Sequence, residues 1–292
     1  FVMLKDVGEA YMDHFGLTDQ DFKQMHDAGI THIESNFDIC ADSDDVSYFL
    51  NQSQKYNLKV IMPAGAGEAE WGYDCDQESY HPTQGPVWQK EKVTTWVSTW
   101  KNHPAIYAWD ISNEAGSVFP NARWNNDMKG TVPDALYITA PQLQTAYRDV
   151  KLADPTRPLL ILMNGWFFYD NDSNFFRTGN PFAPESADIV MVNAYSNVED
   201  YYSDFVDTVM DRAIDAIQSV DSDVDFMVSL GVWREPPLWY LPTKNKLRND
   251  LNAVKAFDEP IKLSFFKYGA KGSEWYLPTD APEMWKSIGE LE

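Results

Sequence analysis

Short runs of branched and aromatic residues alternate along this chain with stretches whose apolar positions recur at helical spacing. Thr31–Asn36, Leu58–Pro63, Ala105–Ile111, Pro158–Met163, Ile189–Asn193, Phe226–Leu230 and Ile261–Phe266 read as strands, with a further, less distinct strand within Phe1–Val7. Between them, Thr18 caps a helix that carries Phe22 and Met25 on one face and stops at Gly29. Asp44–Tyr56 follows as the next helix. Val87–Asn102 sets Val93, Trp96, Val97 and Trp100 on one stripe, and Tyr202–Val220 does the same with Phe205, Val209, Ile214 and Ile217. Gln142–Leu152, Lys244–Phe257 and Ala281–Leu291 complete the helical set, and an irregular aromatic stretch follows the fifth strand. Strict alternation of strand and helix predicts a parallel sheet built from βα units, and eight units predict an α/β fold of the single (β/α)₈ TIM barrel type. No linker, charge block or solenoid repeat interrupts the pattern, so residues 1–292 are expected to form one domain.

In such a barrel, chemistry sits on the loops that follow the strands. Those loops are rich in aromatic residues and carboxylates. Trp71 follows strand three and Trp166 follows strand five. Tyr195 comes after strand six, Trp233 after strand seven and Trp275 after strand eight. Each ring reads equally well as packing, but gathered on one face they suit a groove for a neutral polar ligand, with flat apolar faces against the apolar faces of a sugar. Asn36, at the end of strand two, is a further binding candidate, and Glu34, Asp38, Glu68 and Glu70 lie on the same side.

Charge narrows the partners. The chain carries 45 acidic against 23 basic residues, a formal charge of −22, which disfavours nucleic acid and anionic membrane surfaces. No apolar run is long enough to span a bilayer. The five histidines are scattered, and no spacing resembles a metal site, a phosphate loop, a dinucleotide fingerprint or a serine-hydrolase elbow. No cofactor and no metal are expected, and a monomer is the simplest assembly. The chain starts at Phe1 without a leader, which reads as a mature secreted or periplasmic form or as a trimmed segment. Cys40 and Cys75 follow adjacent strands, so a disulfide between them and two free thiols are both open.

One segment is more specific. His103-Pro104-Ala105-Ile106-Tyr107-Ala108-Trp109-Asp110-Ile111-Ser112-Asn113-Glu114 resembles strand four of the clan A glycoside hydrolases of cellulase and β-mannanase type. The resemblance implies that Glu114 is the acid/base and that Asn113 hydrogen-bonds a substrate hydroxyl. Asp154-Pro155-Thr156-Arg157-Pro158 and Asn193-Ala194-Tyr195 extend the likeness, the latter matching a tyrosine that contacts the nucleophile in that clan. It implies hydrolysis of a β-linked oligo- or polysaccharide.

Strand seven departs from the clan. A glutamate is expected at its end, and Val228-Ser229-Leu230-Gly231-Val232-Trp233-Arg234-Glu235 places Leu230 there. Glu235 could serve as nucleophile or base from the loop, with Arg234 keeping it ionised. Glu274, after strand eight, is a second candidate. In a third reading the site lacks the partner carboxylate, and the barrel binds sugar without cleaving it. Substrate-assisted cleavage of a 2-acetamido sugar fits few protein carboxylates, but no residue points to it specifically.

Overall fold

The computed structural model describes residues 2–3, 17–35, 37–65, 71, 87–114, 138–169, 182–198, 202–237, 239–258, 260–269 and 275–290. Strands β1 (Val2–Met3), β2 (His32–Glu34), β3 (Lys59–Pro63), β4 (Ile106–Asp110), β5 (Leu159–Asn164), β6 (Ile189–Asn193), β7 (Asp225–Gly231) and β8 (Lys262–Phe266) follow one another around the sheet in chain order. β2 to β8 form a curled, wholly parallel sheet. The short β1 pairs with β2 on one side and β8 on the other, and so closes the ring. The α/β architecture is the one that the alternating pattern predicts, with strand limits within about two residues of the expected ones.

β5 and β6 are buried along their whole length, Leu159 to Asn164 and Ile189 to Asn193, as befits strands covered on both faces. The helices are α1 (Asp19–Asp27), α2 (Ser43–Lys55), α3 (Lys90–Trp100), α4 (Ala140–Ala153), α6 (Phe205–Gln218), α7 (Lys244–Lys255) and α9 (Pro282–Gly289); α1 and α6 bury the expected stripes, and α3 buries its own except for Trp100, which is half-buried. Val93, Trp96 and Val97 of α3 are buried, and Trp96 Nε1 donates to the Pro63 carbonyl at 2.9 Å. Two short helices were not expected. α5 (Gly165–Tyr169) opens the aromatic stretch after β5, and α8 (Leu277–Asp280) precedes α9.

Polar residues pin the ends of several elements. Asp21 belongs to the capping box of α1, accepting from Thr18 N at 2.7 Å, and its other oxygen accepts from Tyr276 Oη at 2.5 Å. One carboxylate thus ties the first helix to the segment after the last strand. Asp154, in the Asp-Pro-Thr-Arg-Pro lead-in to β5, is as deeply buried as Asp21. It accepts from Trp109 Nε1 at 3.0 Å, Thr156 Oγ1 at 2.7 Å and Arg157 Nη1 at 2.8 Å. Arg157 also donates from Nε to the Ile106 carbonyl at 2.9 Å, so the motif joins the start of β5 to β4. His103, which starts the strand-four segment, accepts from Ala105 N at 3.2 Å, the structural part expected of it.

Burial alone would raise the pKa of Asp154; hydrogen bonds from Thr156, Trp109 and Arg157 override it and hold the carboxyl well below the usual carboxylate range. The ionised form is therefore preferred in the native state. The resulting stability is fully present above the ordinary aspartate pKa and is lost as pH falls through the native value. Asp154→Ala is expected to cost about 3–5 kcal/mol, because it leaves Arg157 Nη1 and Trp109 Nε1 without their acceptor. Urea unfolding at neutral pH measures the loss, and the gap to the parent protein should narrow in strong acid.

Candidate functional site

β4 ends at Asp110, and the chain then runs through Ile111 and Ser112 to a turn at Asn113 and Glu114. Glu114 is half-buried and has φ +50°, a left-handed conformation that costs a non-glycine residue energy and is concentrated at functional positions. What holds it there is visible. Asn164 Nδ2, from the end of β5, donates to Glu114 Oε1 at 3.0 Å, and Asn193 Nδ2, from the end of β6, donates to the same oxygen at 3.3 Å. The Asn164 amide cannot turn over without loss, because its Oδ1 accepts from Trp166 N at 3.0 Å. Both amide donors thus fall on Oε1 and leave Oε2 for other partners.

The strand register extends this arrangement. Asn164 pairs with Asn193, Asn193 with Ser229, and Ser229 with Ser264, so four buried polar residues stand side by side on β5 to β8. Asn193 reaches Glu114, which identifies this row as lining the inside of the barrel mouth. Asn193 Oδ1 and the Ser264 hydroxyl are buried without a hydrogen-bond partner among the described residues. Tyr195 follows, 8% exposed, stacked on Phe266 with centroids 5.3 Å apart and edge-on to Trp233 at 4.9 Å. Burial and the negative charge of Glu114 push its phenol well above the usual tyrosine range, so it remains a neutral donor.

The register also explains strand seven. Side chains alternate along a strand, so Ser229 and Gly231 face inward and Leu230 faces the helices. The inward position at the end of β7 is therefore Gly231. A side chain there would run into Asn197 Oδ1, so Asn197 fills the space that a strand-seven side chain would need. Asn197 is itself fixed, donating from Nδ2 to the Trp233 carbonyl at 3.0 Å.

The other expected site residues are dispersed. Glu235 is exposed, in a turn closed by reciprocal backbone hydrogen bonds with Trp239 at 2.8 and 3.0 Å. Among the described residues its carboxylate meets no ion-pair partner, Arg234 included. Asn113 is exposed beside Glu114. Trp71 is 2% exposed, its Nε1 donating to the Gly65 carbonyl at 2.7 Å and its ring packed on Trp88. Trp233 and Trp275 are each 3% exposed, and Trp275 Nε1 donates to the Lys267 carbonyl at 3.1 Å. Trp166 is half-buried against Phe205, Tyr169 and Tyr202. Trp233 thus packs with Tyr195 at the barrel mouth, Trp166 packs on α6, and Trp71 belongs to a separate cluster with Leu143 and Ala146 of α4. Asn36, Glu68, Glu70 and Glu274 lie outside the described residues. Cys40 is disulfide-bonded, and the chain's other cysteine, Cys75, also lies outside them.

Asn164 and Asn193 were not assigned roles from the sequence. Their signal was there: each ends an apolar strand run, Leu-Leu-Ile-Leu-Met-Asn and Ile-Val-Met-Val-Asn, at the face where a barrel carries its chemistry. Among the described residues no His/Cys/Asp/Glu group could hold a metal ion, and no helix is long and apolar enough to cross a membrane.

No protein-family model matches the sequence, and none of the curated proteins does. Solved structures resemble it in fold. An endo-1,4-β-D-mannanase from Thermotoga petrophila superposes with a TM-score of 0.60 at 12% identity, over 96% of this chain and 97% of its own. A β-glucuronidase from Ruminococcus gnavus gives 0.59 at 12% identity over the full length of this chain. A β-D-glucuronidase from Dictyoglomus thermophilum gives 0.56 at 13% identity over 94% of it. This chain spans about half the length of the two glucuronidases, 49% and 46% respectively. It therefore has a glycosidase-like fold.

Gly165 opens α5 where a side chain would stand 2.6 Å from the Asn193 carbonyl oxygen and 3.2 Å from its carbon. Gly165→Ala is expected to push Asn193 away from Glu114 and to lower stability by about 1–3 kcal/mol. Urea unfolding measures the second effect, and a crystal structure of the variant with an unchanged Asn193–Glu114 distance would contradict the first.

Proposed function

We propose that this chain is a glycoside hydrolase acting on a β-linked oligo- or polysaccharide, with Glu114 as its proton donor. The observation that carries the reading is the conformation of Glu114: left-handed backbone, carboxylate at the barrel mouth, and Oε1 committed to Asn164 and Asn193. A proton on this carboxyl then sits on Oε2, which has no hydrogen-bond partner among the described residues and can meet a glycosidic oxygen as the bond breaks. Tyr195 stands ready as a neutral hydrogen-bond donor beside it, and exposed Asn113 suits a sugar hydroxyl. The glycosidase-like fold supports the same substrate class. In this reading the whole chain works as one (β/α)₈ barrel, as a secreted or periplasmic monomer without cofactor.

For the second carboxylate we propose Glu235. Its exposed place in the loop after β7 suits a base acting through water, which needs about 6.5–9.5 Å between the two carboxyls, better than direct attack at about 5–5.5 Å. One observation favours a second reading, a sugar-binding barrel without hydrolysis: β7 offers only Gly231 at its inward end, with Asn197 in the space beyond.

A glycan panel separates the two. Under the first reading, Glu114→Gln lowers kcat by roughly 10²- to 10⁴-fold while sugar binding persists. Glu235→Gln should be similarly inactive; full turnover in that variant moves the role to Glu274. Unchanged turnover in Glu114→Gln removes the assignment, and binding without any product by the parent protein selects the second reading.

A further inference from the structure

Buried serines away from the barrel interior find partners in the protein. Ser53 Oγ donates to the Phe49 carbonyl at 2.7 Å, Ser186 Oγ to the Ala183 carbonyl at 2.6 Å, and Ser196 Oγ to Asp250 Oδ2 at 2.6 Å. Inside the mouth the pattern reverses. The hydroxyls of Ser229 and Ser264, both 0% exposed, have no hydrogen-bond partner among the described residues, and Asn193 Oδ1 has none either. Ser112, after β4, is also unpaired, but its carbonyl accepts from Leu162 N, which sets it beside β5 rather than in this row. An unpaired buried polar group carries its full desolvation cost, so native folds seldom leave one without a partner. Several together require a common one.

The register gives that partner its size. Asn193 pairs with Ser229 across β6 and β7, and Ser229 with Ser264 across β7 and β8, with all three side chains facing inward. Side chains on neighbouring strands start about 4.8 Å apart, whereas a hydroxyl bonds an oxygen at about 2.7–2.8 Å. One water spans such a gap. There is also room for it, because branched apolar residues usually fill these layers of a barrel and serine leaves part of that space open. The surroundings are dry otherwise: Leu162, Met191 and Met227 pack below the row, and Phe266 and Tyr195 close it above. Ser229 stands near enough to the Tyr195 phenol to act on it, but no hydrogen bond of ordinary geometry joins them. The orphaned atoms are all neutral, and among the described residues no His/Cys/Asp/Glu group could hold a metal ion. A small neutral molecule that both donates and accepts meets these demands.

The row bears on Glu114 through Asn193. Asn164 has both ends of its amide engaged, Nδ2 by Glu114 and Oδ1 by Trp166 N. Asn193 has only Nδ2 engaged, at 3.3 Å. A water beside Ser229 donates to Asn193 Oδ1 and accepts from the Ser229 hydroxyl. A turned-over amide would then set Nδ2 against that water's proton and Oδ1 against Glu114 Oε1, so the water holds the amide in its present sense.

We propose that Asn193, Ser229 and Ser264 hold a file of buried water, one molecule in each gap between their strands, which locks the Asn193 amide toward Glu114. Ser229 and Ser264 are then positioning residues. That the lock serves catalysis rests on Glu114 being the proton donor; the file and the lock do not.

A high-resolution crystal structure of the whole chain tests the file directly. It should show one water within hydrogen-bond distance of Asn193 Oδ1 and Ser229 Oγ, and another between Ser229 Oγ and Ser264 Oγ. A dry gap on either side of Ser229 overturns the file. Urea unfolding of Ser264→Ala gives a second reading, since removing an unpaired hydroxyl raises the midpoint and removing one that holds water lowers it. A lower midpoint is expected, and an unmoved or raised one overturns the role of Ser264. The lock is read from the side-chain amide resonances of Asn193, identified by their loss in Asn193→Ala. In Ser229→Ala they should shift toward their positions in Glu114→Ala, where the acceptor is gone; unshifted resonances overturn the lock. Should Ser229→Ala fail to fold, Ser229→Cys, of similar shape and a weaker donor, replaces it. None of these measurements needs turnover, so an inactive parent protein on the glycan panel counts against the glycosidase reading alone.

Discussion

The two amide hydrogen bonds that meet on Glu114 Oε1 organise the mouth of this barrel. They come from neighbouring strands, β5 and β6, and they draw the end of the β4 loop inward across both. They offset the cost of holding a glutamate at φ +50°. Asn164 can donate because its carbonyl oxygen is occupied by the first turn of α5, and Asn193 holds its height because Gly165 lets that turn pass close above it. A backbone strain at one residue is thus balanced by side chains fixed on two rigid strands, a stiffer support than a loop of its own would supply.

Around that point the barrel interior changes character along its axis. Lower layers are apolar, with Leu160 and Leu162 of β5 and Met191 of β6 completely or almost completely buried. The row above is polar, running Asn164, Asn193, Ser229, Ser264. Above it sit aromatic rings, Tyr195, Phe266, Trp233 and Trp239, packed mainly edge to face. Polar groups between an apolar core and an aromatic rim find few partners in the protein itself, which is why several remain without a hydrogen bond. Among the described residues, most of these unpaired groups lie at this end of the barrel.

Much of this was legible in the sequence, for identifiable reasons. Ile189–Asn193 has the limits expected of it, since a short apolar run rich in β-branched residues and bounded by polar ones favours a buried strand over a helix. Thr18 caps α1 as predicted, and His103 is structural as predicted. Glu114 was singled out through its sequence neighbours. The partners of Glu114 were not, because they lie 50 and 79 residues away and no local pattern reports which strand ends converge. Trp71, Trp233 and Trp275 could be placed near the mouth from the sequence, whereas their burial depends on what packs over them. Strand seven shows the sharpest limit. A one-residue difference in alignment exchanges the inward and outward faces of a strand, so the question moved from Leu230 to Gly231 only once the register was known.

Gly231 and Asn197 also constrain how this barrel could change over generations. The space beyond Gly231 belongs to Asn197, whose side-chain amide donates to the Trp233 carbonyl at 3.0 Å and whose backbone carbonyl accepts from Tyr240 N at 2.7 Å. A carboxylate arriving alone at position 231 would collide with that amide, and a smaller residue arriving alone at position 197 would lose the side-chain bond to the Trp233 carbonyl while keeping the backbone bond from Tyr240. Each single step is penalised although the pair together is permissible. The order of ancestry is thereby filtered: a lineage holding this arrangement is insulated from one that places its acid on strand seven, and passage between them requires both residues to change nearly at once.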